Sequence, residues 1–338
     1  TTVTESAAIR DAEIARLAEE ARLAEEARLA EEAAAAEEAR LAEIARLAEE
    51  ARLAEEAAAA EEARLAEIAR LAEEARLAEE ARDWFWKGYN ALENEEYDKA
   101  ILYYEKAIEL KPDDADAYNN MGLAYRKQGN TAKAIELWEK AIELKPDYAK
   151  AYYNLGIAYY DQGNYDKAIQ SFEKAIELKP DYADAYYNLG LAYKDQGNYA
   201  KAIESYEKAI EIDPDDADTY NNLGLAYRKQ GNTAKAIESY KKAIEIDPDF
   251  ADAYYNLGIA YDDQGNYIKA IELYEKAIEL DPELAMAYNN LGIAYYDQGN
   301  HTKAIELYEK AIELDPDDAG AYLNLGLAYK NQGNYDKA

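Results

Sequence analysis

Residues 183–216 read ADAYYNLGLAYKDQGNYAKAIESYEKAIEIDPDD, and residues 217–250 read ADTYNNLGLAYRKQGNTAKAIESYKKAIEIDPDF. The second stretch is the first with a few substitutions, and the 34-residue register continues in both directions. Units begin at Ala81, Ala115, Ala149, Ala183, Ala217, Ala251, Ala285 and Ala319, the last reaching only Ala338. From Ala115 onward the units carry a helical stretch such as Ala183–Lys194, a Gln-Gly-Asn break and a second stretch such as Tyr199–Ile212. A Pro-Asp step then ends the unit. Gly at the break suits a left-handed C′ position, and the Asn after it can cap the next helix. A proline such as Pro214 stands where a helix does not continue. Repetition of this kind predicts stacked helical hairpins, since one hairpin alone cannot bury its apolar face.

The recurring residues of unit 183–216 are Tyr186, Leu189, Gly190, Tyr193, Ala202, Tyr206, Ala209 and Pro214. They recur as Tyr220, Leu223, Gly224, Tyr227, Ala236, Tyr240, Ala243 and Pro248. This pattern resembles the tetratricopeptide repeat (TPR). The resemblance covers 81–338 as seven units and a truncated eighth. The first unit departs from it, with Lys87 and Ala91 in place of Leu and Tyr. It implies an all-α fold, a right-handed α-solenoid in which small Gly and Ala let helices approach and aromatics fill the gaps. Most of the tyrosines at or near these positions are then core or groove-wall residues.

Residues 1–80 are of another kind. They repeat the hexad Ala-Arg-Leu-Ala-Glu-Glu, as at 15–20, 21–26 and 45–50, within a 24-residue super-repeat that relates Leu41 to Leu65 and Ile44 to Ile68. All four residue types are strong helix formers, and no Gly or Pro precedes Gly88. A single helix over about 7–86, roughly 120 Å long, is expected. A hexad advances about 240° beyond a full turn, so successive Leu point to three faces and no a/d seam forms. Either a solvated helix held by Glu/Arg pairs results, or a helix that touches neighbours on several sides. The second is favoured, because Leu at every sixth position is needless in a free rod.

Composition excludes several classes. The 338 residues carry 71 Asp+Glu against 38 Lys+Arg, a net charge of −33, which argues against a nucleic-acid partner. No Cys and one His leave no thiol nucleophile, disulfide or multi-His metal site, so no cofactor and no metal are expected. No apolar run approaches the ~18 residues of a membrane span, and the chain is expected to be soluble. Ser171, Ser205 and Ser239 share one position of the second helix and have no His beside them. His301 stands where other units carry Tyr or Thr and reads as a surface variant. The Asp213, Asp215, Asp216, Asp218 cluster lacks calcium-loop spacing and reads as helix capping. The expectation is no enzyme. The chain opens on Thr1 without Met, from which a removed leader and an extracellular location are favoured over a cytoplasmic one; scarce Cys, His and Met also fit a hot or harsh habitat.

Two sets of residues are candidates for contact. First helices of the resembled family line a concave groove, and the sixth residue here is Asn120, Asn154, Asn188, Asn222, Asn256, Asn290 and Asn324. This is similar to the asparagine ladder of the O-linked N-acetylglucosamine transferase superhelix, which implies amides that hold an extended peptide backbone. An amide both donates and accepts, which suits any peptide. The other reading is that each Asn bonds its own neighbouring helices, and both stay open. Tyr153, Tyr187 and Tyr255, with Arg126, Lys194 and Arg228, flank the ladder. The carboxylate clamp of chaperone-binding TPR proteins fits poorly: Phe85 and Tyr89 hold two of its places, although Asn120 and Lys150 match. Trp84, Phe85 and Trp86 form either a cap on the first repeat or a docking patch. The unfinished last unit offers Tyr322, Leu325 and Tyr329 on a first helix without its second, and these are expected to be wet. Protein partners follow, favoured as copies of the chain joined head to tail in a filament. The alternative is a monomeric adaptor that grips a peptide in the groove.

Overall fold

The computed structural model describes residues 2–333. The last residues of the truncated unit, 334–338, lie outside the described residues. Fifteen helices and no strand occur among the described residues. The chain divides into two units, Thr1–Glu79 and Glu80–Ala338.

Helix α1 runs Thr2–Glu93, and its first 78 residues belong to the first unit. Every described side chain from Thr4 to Arg76 is exposed. With nothing buried, local interactions hold this stretch. Arg22 bonds Glu19 and Glu26, Arg28 bonds Glu25 and Glu32, and Arg46 bonds Glu43 and Glu50. Arg52 and Arg70 repeat the arrangement with Glu49 and Glu56, and with Glu67 and Glu74. Each Arg sits i+3 from one Glu and i−4 from another, the spacings at which helix side chains meet. The hydrogen bond from its Arg holds Glu19, Glu43, Glu49, Glu67 and Glu73 below the usual carboxylate range. Leu and Ile stay wet: Leu17, Leu29, Leu47 and Leu65 are 51–57 % exposed.

The second unit begins inside α1. That helix does not stop near residue 86 but continues through Trp84–Trp86 and Gly88 to Glu93. Its last turns pack against α2 (Tyr97–Leu110), with Phe85, Gly88 and Ala91 set against Tyr104 and its neighbours. Hairpins α3/α4 (Ala115–Lys127, Thr131–Leu144), α5/α6 (Ala149–Asp161, Tyr165–Leu178) and α7/α8 (Ala183–Asp195, Tyr199–Ile212) follow. Then come α9/α10 (Ala217–Lys229, Thr233–Ile246), α11/α12 (Ala251–Asp263, Tyr267–Leu280), α13/α14 (Ala285–Asp297, His301–Leu314) and α15 (Ala319–Asn331).

One device makes every hairpin from α3/α4 onward, whereas between α1 and α2 Glu95 takes the positive φ, +60°, and Glu96 makes no side-chain cap. Gly129 has φ +84°, its N–H reaches the Arg126 carbonyl, and the Asn130 N–H reaches Tyr125, a Schellman closure. The Asn130 side chain then caps α4 by accepting from the Lys133 N–H at 3.2 Å. One residue thus ends one helix and starts the next. Within the hairpin the eighth-position glycine lets an aromatic through: a Cβ on Gly190 would lie 2.5 Å from Cε1 of the fully buried Tyr206. Ser171, Ser205 and Ser239 spend their hydroxyls on carbonyls one turn back, at 2.8–3.0 Å. Asp216 caps α9 through the Asp218 N–H. First helices of successive units touch (α3 with α5, α5 with α7, α7 with α9, α9 with α11), while second helices make no comparable contact. The odd-numbered helices therefore line the inner side of an α-solenoid.

Candidate functional site

The inner face carries a hydrogen-bonded row that crosses every described junction from α3 to α15. The sixth-position Asn of one unit donates its amide N–H to the fifth-position side chain of the unit before, 35 residues away. The bonds are Asn154 to Asn119 Oδ1 (2.9 Å), Asn188 to the Tyr153 hydroxyl (3.2 Å) and Asn222 to the Tyr187 hydroxyl (3.2 Å). They continue as Asn256 to Asn221 (3.0 Å), Asn290 to Tyr255 (3.2 Å) and Asn324 to Asn289 (3.0 Å). Asn188 and Asn222 also donate to the carbonyls of Asp184 and Asp218. Asn120 is different because Phe85 stands before it without an oxygen; it accepts from Asn119 at 3.1 Å. The ladder and its three tyrosines thus meet as donor and acceptor between repeats. The fifth position supplies the acceptor: it is always Asn or Tyr from Asn119 to Asn289, so the three flanking tyrosines belong to one row with Asn119, Asn221 and Asn289.

One turn on, a second row joins the twelfth residue to the thirteenth of the next unit. Arg126 bonds Asp161 at 2.7 Å and Arg228 bonds Asp263 at 2.6 Å. The Tyr160 hydroxyl donates to Asp195. Lys194 donates to Asn222 Oδ1 at 3.3 Å and pairs with Asp195 at 3.7 Å. The basic flank is therefore neutralised within the solenoid. At Asp262 the row is acidic, and burial together with Asp263 and Asp297 pushes that carboxyl up.

Beneath the ladder, the hydroxyls of Tyr206, Tyr240 and Tyr274 are buried and have no protein partner. Burial pushes all three phenols well up, and Tyr187 beside them to about 12.

The assembly candidates divide. Phe85 packs edge-on to Tyr104, and Trp84 lies 5.7 Å from Tyr103 with Lys87 over its face at 4.0 Å. Trp86 is 53 % exposed. Tyr322 is exposed and Leu325 half-buried. Tyr329, expected to be wet, is not. It packs with Ala304, Ile305 and Tyr308 of α14, and its hydroxyl donates to Glu309 at 2.6 Å. Its position faces the preceding unit, so a following helix is not needed to cover it. His301 opens α14 against the Tyr296 ring at 5.0 Å. No group of metal-ligating side chains, and no helix long and apolar enough to cross a membrane, occurs among the described residues.

Family models described as tetratricopeptide repeat match residues 113–181, 153–217, 205–238, 251–284 and 273–306. One described as TPR repeat matches 88–129, 224–265 and 294–333. A model described as CG45076 Coiled-coil matches residues 1–96. That description differs from the expectation of no a/d seam drawn from the hexad. Among solved structures, YrrB, titled a TPR protein with an unusual peptide-binding site, is 30 % identical over 54 % of this chain and 95 % of its own, with a TM-score of 0.49. MamA is 34 % identical over 49 % and 96 %, with a TM-score of 0.45. The C-terminal part of a TPR repeat-containing protein from Cytophaga hutchinsonii is 23 % identical over 71 % and 99 %, with a TM-score of 0.58, a likeness of fold. No curated protein matches the chain.

Proposed function

Because the chain belongs to the tetratricopeptide repeat family, a family of protein–protein interaction scaffolds, we propose that it is a non-catalytic structural protein whose copies associate through the N-terminal helix. The carrying observation is the row of large apolar side chains, from Ile9 to Leu71, that are 49–67 % exposed in a stretch of helix where every described side chain is exposed. Covering each would contribute about 1 kcal/mol, from the ~25 cal/mol per Å² of apolar area removed from water. Leu29, Leu47 and Leu65 share one face, and Leu17, Leu53 and Leu71 another, so partners would engage more than one side. The coiled-coil description matched over 1–96 is in keeping with helix-to-helix contact. A copy displaced by the 24-residue super-repeat presents nearly the same side chains. Contacts that recur under displacement do not close, and head-to-tail growth into a filament follows.

Sedimentation velocity across a concentration series, with negative-stain microscopy, tests this. Wild type should grow with concentration, and Leu29→Glu, Leu47→Glu, Leu65→Glu should give smaller helical particles. A wild-type monomer at high concentration would sink the reading. The inner Asn/Tyr row, as the peptide seat of an adaptor, would then take its place.

A further inference from the structure

A third row of side chains lies at the eleventh position of the first helices from α5 to α15, where one unit departs from the other five. In the regular pattern a tyrosine hydroxyl donates to a glutamate twenty residues earlier, on the second helix of the preceding unit. The pairs are Tyr159–Glu139 (3.4 Å), Tyr193–Glu173 (2.8 Å), Tyr227–Glu207 (2.6 Å), Tyr295–Glu275 (3.1 Å) and Tyr329–Glu309 (2.6 Å). A lysine eight residues later sits over the ring: Lys167 over Tyr159, Lys201 over Tyr193 and Lys235 over Tyr227, at 4.8–4.9 Å. Each such site holds a phenol between one ammonium and one carboxylate.

At Tyr261 the ammonium is in place, with Lys269 Nζ 4.8 Å from the ring centre. The carboxylate is not: position 241 is lysine, and its Nζ lies 5.8 Å from the same ring. Both lysines are exposed, and neither has a carboxylate within ion-pair distance among the described residues. The phenol feels the change. Burial works to raise it, as in the sister sites, but the hydrogen bonds and charge of Lys241 and Lys269 outweigh burial and hold Tyr261 below the usual tyrosine value. Tyr193, with Glu173 beside it, is instead pushed up to about 12, by burial first and the carboxylate next.

We infer that Lys241, Lys269 and Tyr261 form a docking point for a carboxylate side chain of an acidic protein segment. The sister sites show the geometry that such a carboxylate completes, and here the solenoid has left its place to be filled from outside. The chain's net charge of −33 opposes an acidic partner at long range. At physiological salt that field is screened beyond ~8 Å, so contacts at the two ammoniums decide the outcome.

Fluorescence anisotropy of a labelled hexaglutamate peptide, titrated with the full chain at about 0.15 M salt, tests the assignment. Wild type should bind measurably. Lys241→Glu, which restores the sister arrangement, should weaken binding about tenfold or more while leaving the melting temperature unchanged or higher. Lys269→Met should weaken it about fivefold. Lys208→Glu, on a unit that keeps its glutamate, should leave it as in wild type. No binding by wild type, or equal loss in the Lys208 variant, overturns the assignment. So does competition by millimolar phosphate as strong as that by unlabelled peptide, which would mark an anion site without preference for an acidic segment. The readout does not depend on self-association, so failure here leaves the assembly reading standing.

Discussion

The two units of this chain are helical for opposite reasons. Between Thr4 and Arg76 every described side chain is exposed, and the contacts that recur span three or four residues. In the solenoid the recurring contacts span 20 or 35 residues, as in Tyr227–Glu207 and Asn256–Asn221, and helices of 13 or 14 residues carry them. Helices that short are marginal alone, so burial against neighbours must supply their stability. The first unit is a propensity helix and the second a packing solenoid. Perturbations that reach buried groups should therefore act on one, and those that reach surface ion pairs on the other.

The largest separation is expected in alkali. The sequence has no tyrosine before Tyr89, while the solenoid buries Tyr206, Tyr240 and Tyr274 with raised phenol values. An unfolded tyrosine ionises near its ordinary value of 10.0, and a buried one later. The stability these residues give is complete below that pH and is lost as pH rises above it, by up to about 1.4 kcal/mol per pH unit for each. Above about pH 11 several act together, and the solenoid should unfold with tyrosinate absorbance and near-ultraviolet circular dichroism changing in one step. Alkaline loss of helicity in the N-terminal helix at the same midpoint would break the contrast.

A smaller effect is expected from the inner ladder. Asn256→Ala leaves the Asn221 amide oxygen, in a residue only 7 % exposed, without its donor. That should cost about 1–3 kcal/mol in urea unfolding followed by near-ultraviolet dichroism. Asn188→Ala, at a half-buried site whose acceptor is a tyrosine hydroxyl, should cost less. If Asn256→Ala keeps full stability and instead weakens an extended peptide, the row is a binding site, and the ladder reading from sequence holds in its ligand-gripping form.

What was legible follows the range of each interaction. The hexad reads as helix because Ala, Leu, Arg and Glu carry that preference themselves, and the hairpin breaks read from one Gly-Asn pair. The sequence places the end of α1 a few residues early because Gly88 looks like a stop; its place inside the helix is set by the Tyr104 ring, against which a Cβ would lie at 2.8 Å. The ladder residues were found, but not their bonds. Asn154 and Asn119 are 35 residues apart, and only the fifth position of one unit set beside the sixth of the next reveals the pair. The order of helices along the chain leaves Tyr329 looking uncovered, whereas its contacts run backward to α14. The Lys241 departure is a single letter in a repeat and gains meaning only once Tyr261 is seen to face it.

The finest test concerns the first unit. Glu19, Glu43, Glu49, Glu67 and Glu73 lie below their ordinary value through hydrogen bonds from arginine. Groups shifted in this direction contribute above the unfolded value of 4.5 and cease to contribute as pH falls through the lowered one. Because the pairs are fully exposed, salt should weaken them as acid does, and the effect at any one pair is small. The chain has no cysteine, so a spin label on Ala48→Cys reports this helix, and one on Ala200→Cys reports the solenoid. Lowering pH from about 5 to about 3, or raising salt to about 1 M, should loosen the first label slightly and leave the second unmoved. If the label at 48 ignores both changes, the ion pairs are not what holds the helix. Contacts with other copies along Leu47 and Leu53 would then be the remaining source of its order, and the immobility should vanish on dilution.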